Sequence, residues 1–348
     1  MSLIVLFAEK GGEKKIMDRE QEDLQFLGFF GIFKESFKII FSWRRIFSRI
    51  TLSLILPLSI IFLAHIQISH ILFFKIMYNQ EAQNYTRKDS PRYAQLSDII
   101  SSEWVAFCLF KFVYFTFLLI LSLLSTAAVV YTIASIYTAK EITFRKVMSV
   151  VPKVWKRLMV TFLWSFAIVL VYNIASGVLF FLWAINFGLY GIGIAIFVFL
   201  FILYLVGLVY ISIVWHLASV VSVLEDLYGI KAMIKSKGLI KGKMGVAVAI
   251  FFMLVVLFIG VELLFENLVV LNLARNIGIR IGIGILSVLL LVQVFLFGLV
   301  IQTVIYFVCK SYHHENIDRS SLADHLEVYL GEYVPLTAKD VQLGEFQV

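Results

Sequence analysis

Ionisable side chains within long apolar stretches are the residues of this sequence best placed to do chemistry. Lys111 lies about seven residues into the second apolar stretch, and Glu262 and Glu266 lie one helical turn apart in the fifth. A charge inside a membrane is costly, so it either has a partner or marks a path for an ion, a proton or a polar headgroup. We therefore hypothesise that Lys111 pairs with Glu262 or Glu266.

Two further polar residues extend this candidate intramembrane cluster. Asn267 follows Glu266 directly, and His65 lies at a similar depth in the first apolar stretch. The cluster could bind a headgroup or a proton, or it could clamp helices together. It could also consist of side chains that extend to the membrane interface. The sequence leaves these alternatives open.

The stretches that hold these residues are long enough to cross a membrane. The chain is 61% hydrophobic and only 15% charged, whereas soluble domains are about 45–50% apolar and about 25% charged. A bilayer core about 30 Å thick needs roughly 20 apolar helical residues. Six runs qualify, at about 50–73, 104–138, 159–185, 188–222, 247–272 and 281–309. The predicted fold class is all-α: a polytopic membrane helix bundle with about six transmembrane helices plus interfacial amphipathic helices.

The distribution of Lys and Arg predicts the orientation of these helices. Of the 30 basic residues, 23 lie in segments on one side and six on the other, and Lys111 lies within a run. Cytosolic loops are enriched in Lys and Arg, so both termini are expected in the cytosol. No cleavable signal peptide is evident, so the first run is expected to direct insertion. The single N-x-S/T sequon, at Asn84, lies in the 30-residue first loop on the opposite side and is a glycosylation candidate.

Three basic amphipathic segments are expected at the cytosolic membrane surface. Residues 25–49 place Glu35 on the polar face; residues 144–157 are expected to bend or divide at Pro152; residues 224–243 are expected to break at Gly238 and Gly242. The candidate contacts with anionic lipids are Arg44, Arg45, Arg49, Lys153, Lys156, Arg157, Lys235 and Lys241. Alternatively, these charges only determine topology and anchor the protein.

The predicted organisation has three parts. A flexible cytosolic N-terminus (1–24) precedes a six-span membrane domain with an N-terminal interfacial helix (25–310), and an acidic cytosolic tail (311–348) contains a short helix at 322–330. No motif of a metalloprotease, a serine hydrolase or a phosphate-binding loop is present. The longest polar segments, about 49 and 38 residues, are too short for a catalytic domain. We therefore expect no enzyme activity, no cofactor, no metal site and no nucleic-acid partner.

Several segments resemble a plant multi-pass transmembrane protein family of unknown function. They are residues 31–40, 56–57, 64–65 and 223–233, then Ser236, Leu239, Lys241 and Gly242, and finally residues 312–318 and 329–336. The Leu-Glu-x-x-x-Gly-x-x-Ala-x-x-x-Ser pattern that begins at Leu224 also resembles, more distantly, the membrane domain of bacterial glycerophosphodiester phosphodiesterases. In those proteins it accompanies a separate catalytic domain, whose His and Glu residues have no counterpart here. The resemblance implies a eukaryotic endomembrane or plasma-membrane protein without that activity.

Two functions fit these observations. The first is a non-enzymatic organiser of lipid or protein partners in endomembranes, with anionic lipids and unknown membrane or cytosolic proteins as partners. The second is a small-solute or lipid carrier that uses the intramembrane charges Lys111, Glu262 and Glu266. A continuous polar cavity at these residues would favour the carrier, and a packed bundle would favour the organiser.

Overall fold

The computed structural model describes residues 25–138, 142–186, 191–271 and 276–313. Within these ranges the chain is helical and holds no β-strand. The helices are α1 (Phe29–Ser42), α2 (Arg44–Ile50), α3 (Leu56–Asn84), α4 (Pro91–Tyr137), α5 (Phe144–Asn186), α6 (Ile192–Leu224), α7 (Ile230–Leu239), α8 (Met244–Phe265) and α9 (Ile277–Tyr312). The predicted all-α fold class is confirmed.

Six helical stretches are long and apolar enough to cross a membrane, as the sequence predicts. They are Arg44–Asn84, Pro91–Tyr137, Phe144–Asn186, Ile192–Leu224, Met244–Val270 and Ile277–Tyr312. The longest, α4, has 47 residues and rises about 70 Å at 1.5 Å per residue. This length is more than twice the roughly 30 Å hydrocarbon core, so α4 extends beyond the membrane.

Hydroxyl side chains are accommodated in these apolar helices by bonds to their own backbone. Ser59 donates to the carbonyl of Ile55 at 2.9 Å, and Ser125 donates to the carbonyl of Leu121 at 2.7 Å. The same bond to the residue four positions earlier recurs at Thr126, Ser165, Ser287 and Thr303. Because lipid offers no hydrogen-bonding partner, this arrangement lets Ser and Thr occur within membrane helices.

Wide π-helical turns interrupt two of the helical stretches. The first, Thr51–Ile55, joins α2 to α3 immediately before Pro57. Proline has no backbone N–H and cannot complete the bond to the carbonyl four residues earlier, and a π-turn is one way to accommodate that loss. The second, Glu266–Val270, follows α8 and contains Glu266 and Asn267 of the candidate cluster.

The described chain forms two compact units. The first unit comprises residues 28–129 and 242–304, and the second comprises residues 25–27, 130–241 and 305–313. The core of the first unit is formed by Leu63, Val261, Phe265, Val270 and Leu291. Beside it, the rings of Phe62, Phe258 and Phe295 have centroids 5.2–6.3 Å apart and join α3, α8 and α9.

The second unit is built on the antiparallel hairpin of α5 and α6. An apolar stripe of α5 is buried: Val147, Val150, Val151, Val154 and Leu158. The C-terminal part of α6 is buried from Val220 to Leu224. At the end of α4, Tyr137 packs against Phe307 of α9 with ring centroids 4.6 Å apart. The short helix α7 packs against this hairpin through Met233, whose sulfur lies 3.7 Å from the hydroxyl of Ser165.

One prediction about helix limits is wrong, and one of the two alternatives for Pro152 is excluded. The first loop is not 30 residues long, because α3 continues to Asn84 and α4 begins at Pro91, which leaves only residues 85–90 between them. Pro152 does not divide its segment but lies inside the continuous helix α5. Pro152 is exposed, whereas the stripe on the other side of the helix is buried. Packing of that stripe therefore holds the helix together across the missing bond.

The predicted face of the first amphipathic segment is wrong, and the predicted breaks in the third are only partly confirmed. Glu35 was expected on a solvated face, but its side chain is only 3% exposed and lies on the buried side of α1 with Ile32, Ser36 and Ile39. In the third segment, the break predicted at Gly238 is wrong because Gly238 lies within α7. The break predicted at Gly242 is confirmed, because Gly242 lies in the turn between α7 and α8 with a φ of 89°. The predicted tail helix at 322–330 and the predicted N-terminal segment 1–24 lie outside the described residues.

Candidate functional site

Charged side chains fix the start of residues 225–243, which connect α6 to α8 and include α7. The carboxylate of Glu225 accepts a hydrogen bond from the Tyr306 hydroxyl at 2.6 Å and pairs with the Lys310 ammonium at 3.2 Å. The next residue, Asp226, pairs with the Arg157 guanidinium at 2.7 Å. The side chains of Glu225 and Lys310 are only 17% and 18% exposed, so this pair is partly shielded from water.

A glycine completes the connection between α6 and α7. Gly229 has φ 63° and ψ −135°, a backbone conformation that residues with a side chain rarely adopt. Its N–H donates to the Thr161 hydroxyl at 2.8 Å, and that hydroxyl lies 2.7 Å from the hydroxyl of Ser222. Thr161 and Ser222 are buried. Three elements therefore meet at one buried hydroxyl pair, which holds the start of α7 against the α5–α6 hairpin.

The end of α7 is held by a histidine at the end of α9. The Nε2 atom of His313 lies 3.0 Å from the carbonyl oxygens of both Leu239 and Lys241. As a donor, it caps carbonyls that a helix end leaves without an intrahelical partner. Because both ends of residues 225–243 are tied to neighbouring helices, α7 has a fixed orientation.

This orientation divides α7 into a buried and an exposed face. The buried residues are Ala232, Met233, Ser236 and Leu239. The outward residues of α7, spaced three apart, are Lys231, Ile234 and Lys237, and the Ile234 side chain is 66% exposed. The exposed Lys241 follows in the turn just beyond the end of the helix. We call these four residues the basic platform.

The predicted lipid contacts have different environments in the structure. The exposed ones are Arg44, Arg45, Arg49, Lys153, Lys156 and Lys241. Arg157 holds Asp226 instead, and Lys235 is half-buried. Sequence reasoning missed Lys231, Ile234 and Lys237, although their spacing of three residues was a detectable signal of one helix face.

The intramembrane cluster is assembled differently from the prediction. The Lys111 ammonium lies 2.7 Å from Nε2 of His65 and donates to the Ser69 hydroxyl at 3.0 Å. Within the described residues, no ion pair joins Lys111 to Glu262 or Glu266. The predicted pairing is therefore wrong: the partner of Lys111 is an imidazole on the adjacent helix α3.

Two residues of this cluster were missed at the level of sequence. Ser69 lies one turn after His65, and Tyr114 lies one turn after Lys111. The Tyr114 ring stacks on the His65 ring, with centroids 3.6 Å apart and an interplanar angle of 11°. The i,i+3 and i,i+4 spacings indicate which residues share a face of each helix, but they do not indicate which faces meet.

Among the described residues, the remaining members of the predicted cluster form no direct bond with Lys111 or His65, although Glu262 lies close enough to Tyr114 to interact with it electrostatically. Glu262 is half-buried and Glu266 is exposed at the start of the π-turn. The Asn267 amide donates to the carbonyl of Leu263 in its own helical stretch at 2.8 Å. Of the five predicted residues, the structure joins only His65 and Lys111 by a direct bond.

A second polar layer lies nearer the tip of the α3–α4 hairpin. The Glu103 carboxylate pairs with the Lys75 ammonium at 3.1 Å and accepts bonds from the Asn79 amide at 2.9 Å. Aromatic rings of Phe73, Trp104 and Phe107 pack between this layer and Lys111. Asn84, the glycosylation candidate, is exposed at the end of α3. Among the described residues, no group of three His, Cys, Asp or Glu side chains is arranged to hold a metal ion.

Six apolar helical stretches and charged groups at defined depths characterise a multi-pass α-helical integral membrane protein. The sequence model of one protein family, described as Domain of unknown function (DUF8558), matches residues 17–346, and the chain belongs to this family. No curated protein and no solved structure matches the chain. The sequence predicted a transmembrane family of unknown function, and the family match and the six apolar helical stretches confirm that much.

Proposed function

We propose that this protein is a non-enzymatic organiser that gathers anionic lipids at the basic platform of α7. The observation that carries the proposal is the exposed Ile234 between Lys231 and Lys237, on a helix fixed at both ends. An interfacial helix buries apolar side chains at the boundary of headgroups and acyl chains, while its basic residues contact anionic headgroups. The platform has this combination of residues on one face.

The depth of α7 supports contact with the membrane surface. Its residue Met233 contacts Ser165, and Gly229 lies against the neighbouring Trp164 of α5. The Trp164 side chain is 46% exposed, and exposed tryptophans concentrate at membrane–water interfaces. The platform therefore lies at a level where headgroups are expected.

The fixed orientation of α7 supports selective binding. A helix that must order itself on binding loses free energy as its side chains and backbone become fixed. The contacts of Glu225, Gly229 and His313 hold α7 before any lipid arrives. The electrostatic contribution, about 1 kcal/mol for each basic residue near an anionic surface, is then available for discrimination among lipids.

The side of the membrane follows from charge and chain order. Residues 139–158 and 224–243 precede the third and fifth spans, and both are rich in Lys and Arg. Such segments favour the cytosolic side, so we propose that the platform and both termini face the cytosol of a eukaryotic endomembrane or plasma membrane. Protein partners of the acidic tail, residues 311–348, are part of the same proposal.

The experiment compares lipid retention by the full chain and by the double variant Lys231→Gln/Lys237→Gln. The proteins are purified in nanodiscs of phosphatidylcholine and phosphatidylserine, and retained lipids are counted by native mass spectrometry. Loss of two lysines removes about 2 kcal/mol, which is roughly a thirtyfold loss of phosphatidylserine preference. The matched control is Arg87→Gln/Lys88→Gln, which removes the same charge from the exposed loop between α3 and α4.

A second variant separates insertion from charge. Ile234→Ser keeps every lysine and is expected to weaken retention of both lipids, because a buried apolar contact is lost. If phosphatidylserine preference is unchanged in the platform double variant, or falls equally in the loop control, the lysines only determine topology and the proposal is refuted.

The carrier is the less favoured alternative. It requires Lys111 to act together with Glu262 and Glu266, and the ion pair on which that idea rested is not formed among the described residues. A carrier would move a labelled solute or lipid across a proteoliposome membrane, and Lys111→Met would abolish that transport.

A further inference from the structure

Two lysines of the α3–α4 hairpin contact the opposite helix, and only one of them has a carboxylate partner. Lys75 pairs with Glu103 at 3.1 Å. Lys111 instead contacts the neutral acceptors His65 Nε2 at 2.7 Å and Ser69 Oγ at 3.0 Å. Within the described residues, Lys111 forms no ion pair with a carboxylate. The ammonium also lies 5.1 Å from the centroid of the Phe107 ring, so neutral acceptors and an aromatic face surround its charge in place of a carboxylate.

The cluster around Lys111 has more donors than acceptors. An ammonium has three N–H donors, and its bonds to His65 and Ser69 use two of them. Because His65 accepts at Nε2, its ring proton is on Nδ1, which is buried and has no hydrogen-bond partner. The Ser69 hydroxyl, which accepts from Lys111, still has its own proton to donate. A ligand that completes this cluster must supply acceptor oxygens and negative charge.

Lys111 lies within the membrane, so the acceptor oxygens and the negative charge must be supplied there. Lys111 lies eight residues beyond Glu103 on α4, which is about 12 Å along the helix. The layer of Lys75, Glu103 and Trp104 has the charged and aromatic composition typical of a membrane interface. A charge without a carboxylate partner below that layer is costly and is a default functional site.

Access to the cluster is lateral, from the lipid. Lys111 is half-buried, and on the same helix Leu109 is 62% exposed and Phe112 is 71% exposed. On α3, Ile68 beside Ser69 is 41% exposed. A ligand that reaches the ammonium therefore has an apolar part that lies along these side chains, which excludes a purely water-soluble anion.

We infer that Lys111, held in position by His65, binds together with Ser69 the headgroup of a lipid with a small anionic group, either a fatty-acid carboxylate or the phosphate monoester of phosphatidic acid. The ammonium and the serine hydroxyl donate to the headgroup oxygens. The acyl chain lies along Leu109 and Phe112. Small headgroups are specified because the site lies below the interfacial layer of Glu103 and Trp104. This site is separate from the basic platform and does not rest on the proposed function.

The chain provides its own position for a reporter. It has two cysteines, of which Cys108 is exposed and Cys309 is buried. A maleimide fluorophore on Cys108 lies one helical turn from Lys111. The labelled full chain, in phosphatidylcholine nanodiscs, is titrated with oleate and, separately, with phosphatidic acid. Native mass spectrometry of unlabelled protein checks that the label does not create the binding.

The variants test the residues that the inference names. Lys111→Met is expected to weaken binding at least about tenfold, the value of one charge-assisted hydrogen bond. Ser69→Ala is a milder change that retains the helix and is expected to weaken binding severalfold. Lys88→Met removes a lysine from the exposed loop 85–90 and is expected to bind as tightly as the unaltered protein.

Each outcome decides the inference. A saturable response to oleate alone supports the carboxylate, and a response to phosphatidic acid alone supports the phosphate monoester. An equal response to added phosphatidylcholine, or unchanged binding in both Lys111→Met and Ser69→Ala, overturns it. If inorganic phosphate displaces the bound lipid as effectively as added lipid does, the lipid assignment is overturned. The platform variant Lys231→Gln/Lys237→Gln should leave this response unchanged, which separates failure here from failure of the proposed function.

Discussion

Replacing Gly229 by alanine tests whether the start of α7 is held as the structure indicates. The backbone of Gly229, at φ 63° and ψ −135°, is a conformation that costs a residue with a side chain about 1–3 kcal/mol. A Cβ atom there would lie 3.0 Å from Cδ1 of Trp164 and 3.5 Å from Cγ1 of Val160. Trp164 is 46% exposed and can move aside. The backbone conformation therefore dominates, and we expect a loss of about 2–3 kcal/mol in unfolding free energy.

A second glycine in the same segment provides the matched control. Gly238 lies within α7, and a Cβ atom added there meets no atom within 4 Å. Alanine is favoured over glycine in a helix interior by about 1 kcal/mol. Gly238→Ala should therefore stabilise the protein, while Gly229→Ala destabilises it. The two variants make the same chemical change nine residues apart and are expected to have opposite effects.

The measurement is thermal unfolding of both variants in nanodiscs, followed by tryptophan fluorescence and by recovery of monodisperse protein after heating. The expected order of melting temperatures is Gly238→Ala above the unaltered protein and Gly229→Ala below it. If Gly229→Ala melts at or above the unaltered protein, the conformation of this connection does not constrain α7. A fall in both variants would instead indicate general sensitivity to added methyl groups.

Three further predictions concern hydrogen bonds and topology. Thr161→Val should lower the unfolding free energy by about 1–3 kcal/mol, because the buried N–H of Gly229 loses its acceptor. Thr161→Ser keeps the hydroxyl and should lower it only by the value of one buried methyl group, near 0.8 kcal/mol. Equal melting temperatures of the two variants would contradict this. Tyr306→Phe should lower the unfolding free energy by about 2 kcal/mol in the unaltered protein and by almost nothing in the Glu225→Ala variant. If the effects of the two substitutions add in this double-mutant cycle, the 2.6 Å bond between Tyr306 and Glu225 contributes little. Asn84 should carry an N-linked glycan that Asn84→Gln removes, while glycosylation of an acceptor sequence fused to the C-terminus would refute the predicted orientation.

The number and positions of the spans could be predicted because apolar length is a local property of the sequence. A stretch such as Ile192–Leu224 contains no Asp, Glu, Lys or Arg, and lipid is the only environment that suits it. The ends of the helices were harder to predict from the sequence. Residues 74–84 and 91–103 are polar enough to suggest a loop, but contacts such as Glu103 with Lys75 hold them as a helical hairpin.

The partners of individual charges could not be predicted, because they depend on which helix faces meet. Lys111 has carboxylates at a similar depth in α8, and the sequence favoured them on charge alone. In the structure α3 is the neighbour, and an imidazole is within reach. Glu35 illustrates the same limit: helical periodicity placed it on a polar face, while packing of Ile32 and Ile39 turns that face inward.

The attachment of α7 to α5 has a consequence for bilayer thickness. The stretch of α5 from Leu163, next to the Trp164 contact with Gly229, to Ile185 rises about 33 Å. The side chains of Leu163 and Ile185 are 55% and 66% exposed. The length of this stretch is close to the hydrocarbon thickness of a sterol-rich plasma membrane, about 32–33 Å, but exceeds that of an endoplasmic reticulum bilayer, about 27 Å, where tilting is one way to accommodate the excess. Because α7 is fixed to this helix, tilting would rotate Ile234 and its lysines relative to the headgroups. Hydrophobic thickness would then regulate how well the platform engages lipid, and the protein would respond to the compartment in which it resides.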